Sequence, residues 1–411
     1  MLTTLANGLT IVTEPQPAAL SVAIGFFVRT GARDESDEVW GVSHFLEHMA
    51  FKGRGELDAD TLNRRFDEIG ASYNASTSEE VTNYYAAVLP EYVPQAIDLL
   101  AGLLRPDLRP DDFDLEKQVI LEEIGMYDDS PGFLVYERMM TTHFAGHPLG
   151  RTVLGSAASI IDLSREQMAA YHERRYGASA VSLIAAGAFD HDELVALAEQ
   201  HCGDWQPGDG SRQVSSPQPP GAVDVLVRPD FLIQTVAQGG DAPPADSPHR
   251  LAAELLSFIV GDDTGSRLYW ELVDPGHAES CELSYNEYDG AGVWMTYLSC
   301  VPQRADELVA AIARVYDEVN RDGVQPEELQ RARNKLTSRL VLQSERPMGR
   351  LSAVGSDWIY RGRIVSLDEE LAEIEAITVD DLAACLAAYP LSQTSTATVG
   401  PLTSLATASQ R

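Results

Sequence analysis

Two distant parts of this chain repeat at a single offset. Asp112-Phe113-Asp114-Leu115-Glu116 pairs with Pro326-Glu327-Glu328-Leu329-Gln330. Leu163-Ser164-Arg165-Glu166-Gln167-Met168 pairs with Ile377-Thr378-Val379-Asp380-Asp381-Leu382, again shifted by 214 residues. The identity is weak, but a shared offset across distant segments is the trace of an internal duplication. Two related units are therefore expected, and 411 residues that are 44% hydrophobic can furnish both with cores. The stretch Gln206 to Gly221, rich in Pro, Gly and Ser, is the clearest linker. It divides the chain into an expected first domain at 1–207, a connection at 208–221 and a second domain at 222–411.

Hydrophobic periodicity fills in the first half. Residues 3–30 alternate as strands do, notably Leu9 to Thr13 and Ser21 to Val28, with Asn7-Gly8 as a hairpin turn signal between two such runs. Helices are expected over 59–69, closed by Gly70, and over 90–104; strands are expected over 71–77 and 81–89. Asp111-Asp112 can cap a helix from Phe113 to Tyr127. On it Glu116 and Glu123 lie seven apart and point the same way, whereas Glu122 points elsewhere. Such a pair is commonly a solvated stripe; the alternative is a third metal ligand and its support. A helix over 163–176, a strand over 181–186 and a helix over 192–201 complete the half. Beyond the linker, strands are expected near 224–227, 233–238, 282–288 and 293–300, with helices over 250–260, 306–322 and 326–343.

The chemistry concentrates in Gly41-Val42-Ser43-His44-Phe45-Leu46-Glu47-His48-Met49-Ala50-Phe51-Lys52-Gly53. On a helix, His44 and His48 stack one turn apart. Two neutral imidazoles so placed can grip one Zn²⁺, and Glu47 can take a proton from a water the ion acidifies. The string H-x-x-E-H inverts the order of H-E-x-x-H and marks the inverzincin peptidases. It can also fall by chance on the wet face of any helix. The flanking Phe45, Leu46, Met49 and Phe51 argue against that, since they describe a buried helix whose polar groups need a partner. Nothing in the second half matches the motif, and at the 214-residue offset Glu123 meets Thr337.

Bulk properties narrow the remaining classes. A formal net charge of −33 makes nucleic acid or an anionic membrane an unsuitable partner. Cys202, Cys281, Cys300 and Cys385 are scattered without a C-x-x-C pair, which argues for reduced thiols and against a thiolate metal site. No apolar run reaches membrane-spanning length, and residues 1–16 do not read as a signal peptide, so a cytoplasmic location is expected. Three weaker signals are set aside. His143 and His147 are four apart, but Gly146 and Pro148 speak for a loop. His172 sits on a polar helix face. Gly261 to Ser266 lacks the G-K-[ST] ending of a phosphate loop.

The quoted H-x-x-E-H stretch, Asn74-Ala75-Ser76-Thr77 and Glu116-Lys117-Gln118-Val119-Ile120-Leu121-Glu122-Glu123 together resemble the insulinase/pitrilysin zinc peptidases. The likeness is to the short-chain branch that includes the mitochondrial processing peptidases. It extends over nearly the whole chain and is strongest over residues 5–205. It implies an α+β fold of two related domains, each an antiparallel-rich mixed sheet backed by helices. It further implies one zinc ion per chain on His44, His48 and Glu123, with Glu47 as general base and Glu116 as the acid supporting the ligands. Asn74 and Ala75 would lie on a sheet edge that pairs with an extended peptide substrate. Two such chains would close as a clamshell around an acidic chamber.

The resemblance fails at one place. Active members carry an Arg and a Tyr seven residues apart in the second domain, holding substrate and oxyanion. In Gly265 to Ser280 the Arg position is Leu272 or Val273, and the Tyr position is Glu279 or Ser280. An oxyanion donor lowers the barrier by about 2.7–4 kcal/mol. The chain therefore looks like a zinc-bearing subunit that needs a related partner carrying the pair. The alternatives are a self-sufficient homodimer in which Arg267 or Tyr285 substitutes, or a non-catalytic structural or assembly subunit.

Overall fold

A computed structural model describes residues 1–406 of the chain. Its strands are β1 (Leu2–Thr4), β2 (Thr10–Pro15), β3 (Val22–Val28), β4 (Gly53–Arg54), β5 (Leu57–Asp58), β6 (Ser72–Thr77), β7 (Thr82–Val88), β8 (Val181–Gly187), β9 (Val223–Val227), β10 (Gln234–Asp241), β11 (Ser280–Tyr288), β12 (Ala291–Cys300) and β13 (Ser395–Gly400). Helices α1 (Val42–Ala50), α2 (Ala59–Glu68), α3 (Val93–Leu103), α4 (Pro110–Tyr127), α5 (Pro131–His143), α6 (Ala157–Asp162), α7 (Arg165–Arg175) and α8 (His191–Cys202) precede β9. Helices α9 (Arg250–Gly261), α10 (Ala305–Asp322), α11 (Pro326–Ser344), α12 (Pro347–Arg361), α13 (Leu367–Ala376) and α14 (Val379–Ala388) follow it. No helix among the described residues is long and apolar enough to cross a membrane.

The elements sort into two compact units. The first takes Met1–Gly125, Arg151–Gln213 and Val341–Val365. Its six-stranded sheet has the order β1-β2-β8-β3-β7-β6. Only β2 and β8 run parallel, and β6 forms an edge. Both faces are covered, so β3 is buried along its whole length and reads as an unbroken apolar run. On one face Ile24 and Phe26 join Phe45, Leu100 and Met168 from the helices. On the other, Val12, Phe27 and Ile184 meet Leu351, Val354 and Ile359 of α12. Gly355 permits that approach, since a Cβ there would lie 2.5 Å from the Phe27 ring.

The second unit takes Met126–Gly150, Val214–Leu340 and the described residues from Ser366 onward. Its sheet runs β11-β12-β10-β13-β9, with β9 and β13 parallel and every other pairing antiparallel. Reading β9, β13, β10, β12 and β11 in place of β2, β8, β3, β7 and β6 reproduces the first sheet, so the duplication inferred from the offset is present in the strand order. Helices α9, α10 and α14 cover one face. Helix α5 covers the other, with Val135, Met139 and Phe144 against Val293, Ala397 and Val399.

This division differs from contiguous domains at 1–207 and 222–411. Residues 126–150 belong with the second unit and 341–365 with the first, each unit drawing one covering helix from the other half of the sequence. Periodicity identifies an amphipathic helix but not the sheet it covers. The expected connection at 208–221 has no regular structure, yet its first part is not a free linker. The Arg212 side chain is 2% exposed and reaches Asp34 at 2.7 Å.

Candidate metal centre

Helix α1 starts at Gly41, which takes φ +90°. Val42, Phe45, Leu46, Met49 and Ala50 turn into the core of the first unit, which leaves His44, Glu47 and His48 on the face toward α4. The Phe45 and Phe113 rings stack with centroids 4.7 Å apart and tie the two helices together. Glu116 and Glu123 project from α4, the first buried and the second partly so.

The three residues expected to hold metal converge. One donor atom each from His44, His48 and Glu123 lies within 4.8 Å of the others. Glu123 Oε2 is 3.7 Å from His44 Nε2 and 3.5 Å from His48 Nε2. Donors on a tetrahedral ion at about 2.1 Å would sit about 3.4 Å apart. Glu123 Oε2 is also buried without a hydrogen-bond partner among the described residues. Such groups are costly unless something satisfies them, and a cation fits this acceptor set. Burial, with His48 alongside, pulls the His44 imidazole down to about 3, which keeps it in the neutral form that ligates.

The surroundings fix the rings and the base. His48 Nδ1 lies 3.1 Å from Glu116 Oε2, leaving Nε2 to face Glu123. Lys52 Nζ approaches the other Glu116 oxygen at 2.5 Å. Thr77 Oγ1 donates to Glu47 Oε2 at 2.6 Å. Burial raises the Glu47 carboxyl, against the pull of that hydroxyl and of His48. Thr77 ends β6, the strand that carries Asn74 and Ala75. Asn74 is exposed and Ala75 buried, and among the described residues β6 pairs only with β7. Its other edge leaves backbone groups unpaired within the sheet.

Three features escaped the sequence reading. The polar composition of residues 31–35 suggests a solvated loop, yet they are packed inside: Arg33 meets Glu80 at 2.5 Å, and Asp34 lies between Arg175 and Arg212. Glu35 turns onto the start of α1, where its carboxylate accepts from the N–H groups of Gly41 and Ser43. Burial pushes its carboxyl up to about 8 against the opposing pull of those amides and Arg151. Lys52 and Thr77 were inside quoted motifs without a role; Lys52 falls one turn after His48, the spacing that brings it to Glu116.

The substitutes considered for the missing Arg/Tyr pair are committed elsewhere. Arg267 grips both oxygens of Glu328 at 2.8 Å, and Tyr285 donates to Pro243 O at 2.8 Å. Leu272 is buried, and Glu279 accepts from Ser299 Oγ. His143 and His147 do not converge: His143 closes α5, buried, whereas His147 lies beyond it near Ser215 O. His172 places Nε2 2.8 Å from Leu104 O, and Asp262 pairs with Lys335 and Arg339 rather than lining a phosphate loop.

Comparison with known proteins is consistent with this layout. Residues 10–157 match the family model described as insulinase (peptidase family M16), and residues 162–336 the one described as the peptidase M16 inactive domain. A Mycobacterium tuberculosis protein named an uncharacterized zinc protease is 35% identical over 387 residues, covering 92% of this chain and 88% of its own. The crystal structure of a protease from Helicobacter pylori superposes with a TM-score of 0.88 at 22% identity, covering 97% of this chain and 98% of that one. That of a peptidase M16 inactive domain from Pseudomonas fluorescens gives 0.91 at 17% identity, with 99% of each chain covered. At those identities the two structures speak for the fold, while the family models and the mycobacterial relative carry the assignment. The chain belongs to the insulinase family, peptidase family M16.

Proposed function

We propose that the chain is a zinc-dependent endopeptidase acting on peptides or unfolded protein segments, with His44, His48 and Glu123 as ligands. The observation that carries the reading is the convergence of those three donors beside Glu47, with Glu123 Oε2 buried and unsatisfied. Zinc, when bound, would polarise the scissile carbonyl and acidify a water. Glu47 takes the proton of the attacking water and passes it to the leaving amine; its burial favours that traffic by raising its affinity for the proton. Glu116 holds the His48 ring in one orientation. Asn74 and Ala75 offer the open edge of β6 to an extended substrate, which would lie as an added strand.

The proposal includes a partner. Neither Leu272 or Val273, nor Glu279 or Ser280, can supply the oxyanion donor and substrate clamp, and Arg267 and Tyr285 are already engaged. A related subunit bearing an Arg/Tyr pair would complete the site. The test is cleavage of a quenched, unstructured peptide by the purified chain, with Glu47→Gln as blank and metal content measured alongside. Zinc should be retained in Glu47→Gln and lost in Glu123→Gln. Glu47-dependent turnover by the chain alone removes the need for a partner. Zinc without turnover directs the search to a co-purifying subunit, and a wild-type chain that binds no zinc overturns the reading.

A further inference from the structure

Helix α1 is short for what it carries. Its nine residues hold His44, Glu47 and His48, and a helix of that length is marginal by itself in water. Its N-cap residue, Gly41, has no side chain to offer. A Cβ there would fall 2.9 Å from Leu154 O and 3.0 Å from Gly155 Cα, so a Ser, Thr or Asp cap cannot stand in that place. The first N–H groups of the helix are nevertheless buried, and unpaired they would be costly.

Glu35 supplies the missing cap from the preceding loop. Its Oε2 accepts from Gly41 N–H at 2.7 Å and its Oε1 from Ser43 N–H at 2.8 Å. Arg151 anchors the loop by donating to the Glu35 carbonyl at 2.7 Å. The Ser43 hydroxyl is 2.8 Å from that of Tyr171, which in turn is 2.6 Å from Thr30 Oγ1. The residue immediately before His44 is thus held by backbone and side chain at once.

We propose that Glu35 is a positioning residue for the metal centre: by capping α1 from outside, it fixes the first turn and so the His44 donor relative to Glu123. The inference rests on the zinc reading above. An acceptor at this end of a helix also meets the positive end of the backbone dipoles, which favours the same arrangement. A purely structural acid would add stability without changing how tightly the folded chain holds zinc; a positioning residue changes the affinity itself.

Chelator competition on the intact chain separates the two. Glu35→Gln keeps the size and turns an N–H donor toward backbone N–H groups. It should weaken zinc binding by about tenfold or more, the effect of losing a group that orients a ligand. It should also speed hydrogen exchange at the Gly41 and Ser43 amides. Glu14→Gln, on β2, breaks an ion pair with Arg350 of α12 and touches nothing in α1, so it should cost stability and leave zinc affinity unchanged. Unchanged affinity in Glu35→Gln, with zinc bound by the wild type, overturns this inference alone; a wild type that binds none overturns both. Should Glu35→Gln not fold, Glu35→Asp decides: it keeps the carboxylate but withdraws it from the Gly41 and Ser43 amides, and a fall in zinc affinity of the folded variant supports the positioning role, whereas wild-type affinity refutes it.

Discussion

Replacing Gly41 by Ala tests how rigidly the start of the helix carrying His44, Glu47 and His48 is seated. The φ of +90° is one that L-residues avoid, at a cost of about 1–2 kcal/mol. The new methyl would also meet Ile160 Cδ1 at 2.7 Å, Leu154 O at 2.9 Å and Gly155 Cα at 3.0 Å. A side chain can rotate away, but two of these three neighbours are backbone, so overpacking should add about 1–3 kcal/mol. The expected loss is about 2–5 kcal/mol. Gly70, which ends α2 with φ +61° and nothing within 4 Å of an added Cβ, is the matched control. Gly70→Ala should cost only the backbone penalty, about 1–2 kcal/mol. Urea unfolding of both variants in chelator keeps metal linkage out of the comparison. Equal losses would mean that the 154–155 backbone yields freely and that α1 is not pressed against it.

Two further outcomes can be checked directly. Thr77→Val removes the hydroxyl donor to Glu47, and a hydrogen bond to a charged group contributes about 1.5–3 kcal/mol. Under conditions where the chain turns over, peptide cleavage should fall about tenfold or more, with Thr77→Ser restoring it; full activity in Thr77→Val would show that β6 does not hold the base. In the second unit, His143 is fully buried, neither ring nitrogen makes a hydrogen bond among the described residues, Nε2 lies 3.5 Å from Asp241 Oδ1, and burial lowers the pKa to about 4. On acidification the unfolded chain is protonated at this residue first. Stability is therefore fully present above the ordinary histidine range near 6.5 and is lost as pH falls toward 4, by up to about 3 kcal/mol. Unfolding followed across that window should show a shallower acid slope for His143→Phe, and parallel slopes would refute the assignment.

What was legible in the chain follows from how local each signal is. His44, Glu47 and His48 announce themselves because one helical turn brings them together, and Glu116 and Glu123 share a helix face for the same reason. The meeting of those two faces is a long-range event, available from sequence only through resemblance. Glu35 and Arg212 lie in stretches whose composition suggests solvent, and composition does not reveal that a charged group has found a buried counterpart. Helix α12 escapes periodicity for a related reason: Gly355, which weakens its helical signal, is what its close approach to Phe27 of the sheet requires.

The borrowed covering helices carry a consequence for synthesis. As the chain leaves the ribosome from its N-terminus, the strands that place Phe27 and Ile184 on one sheet face are complete long before residues 347–361 exist to shield them. Until then that face offers a sticky surface to whatever is nearby, and a nascent first half cannot finish folding by itself. Maturation of the unit that carries the H-x-x-E-H helix is thereby tied to synthesis through α12, at residue 361. A prematurely terminated product would keep the entire H-x-x-E-H helix while lacking the layer that lets its sheet settle.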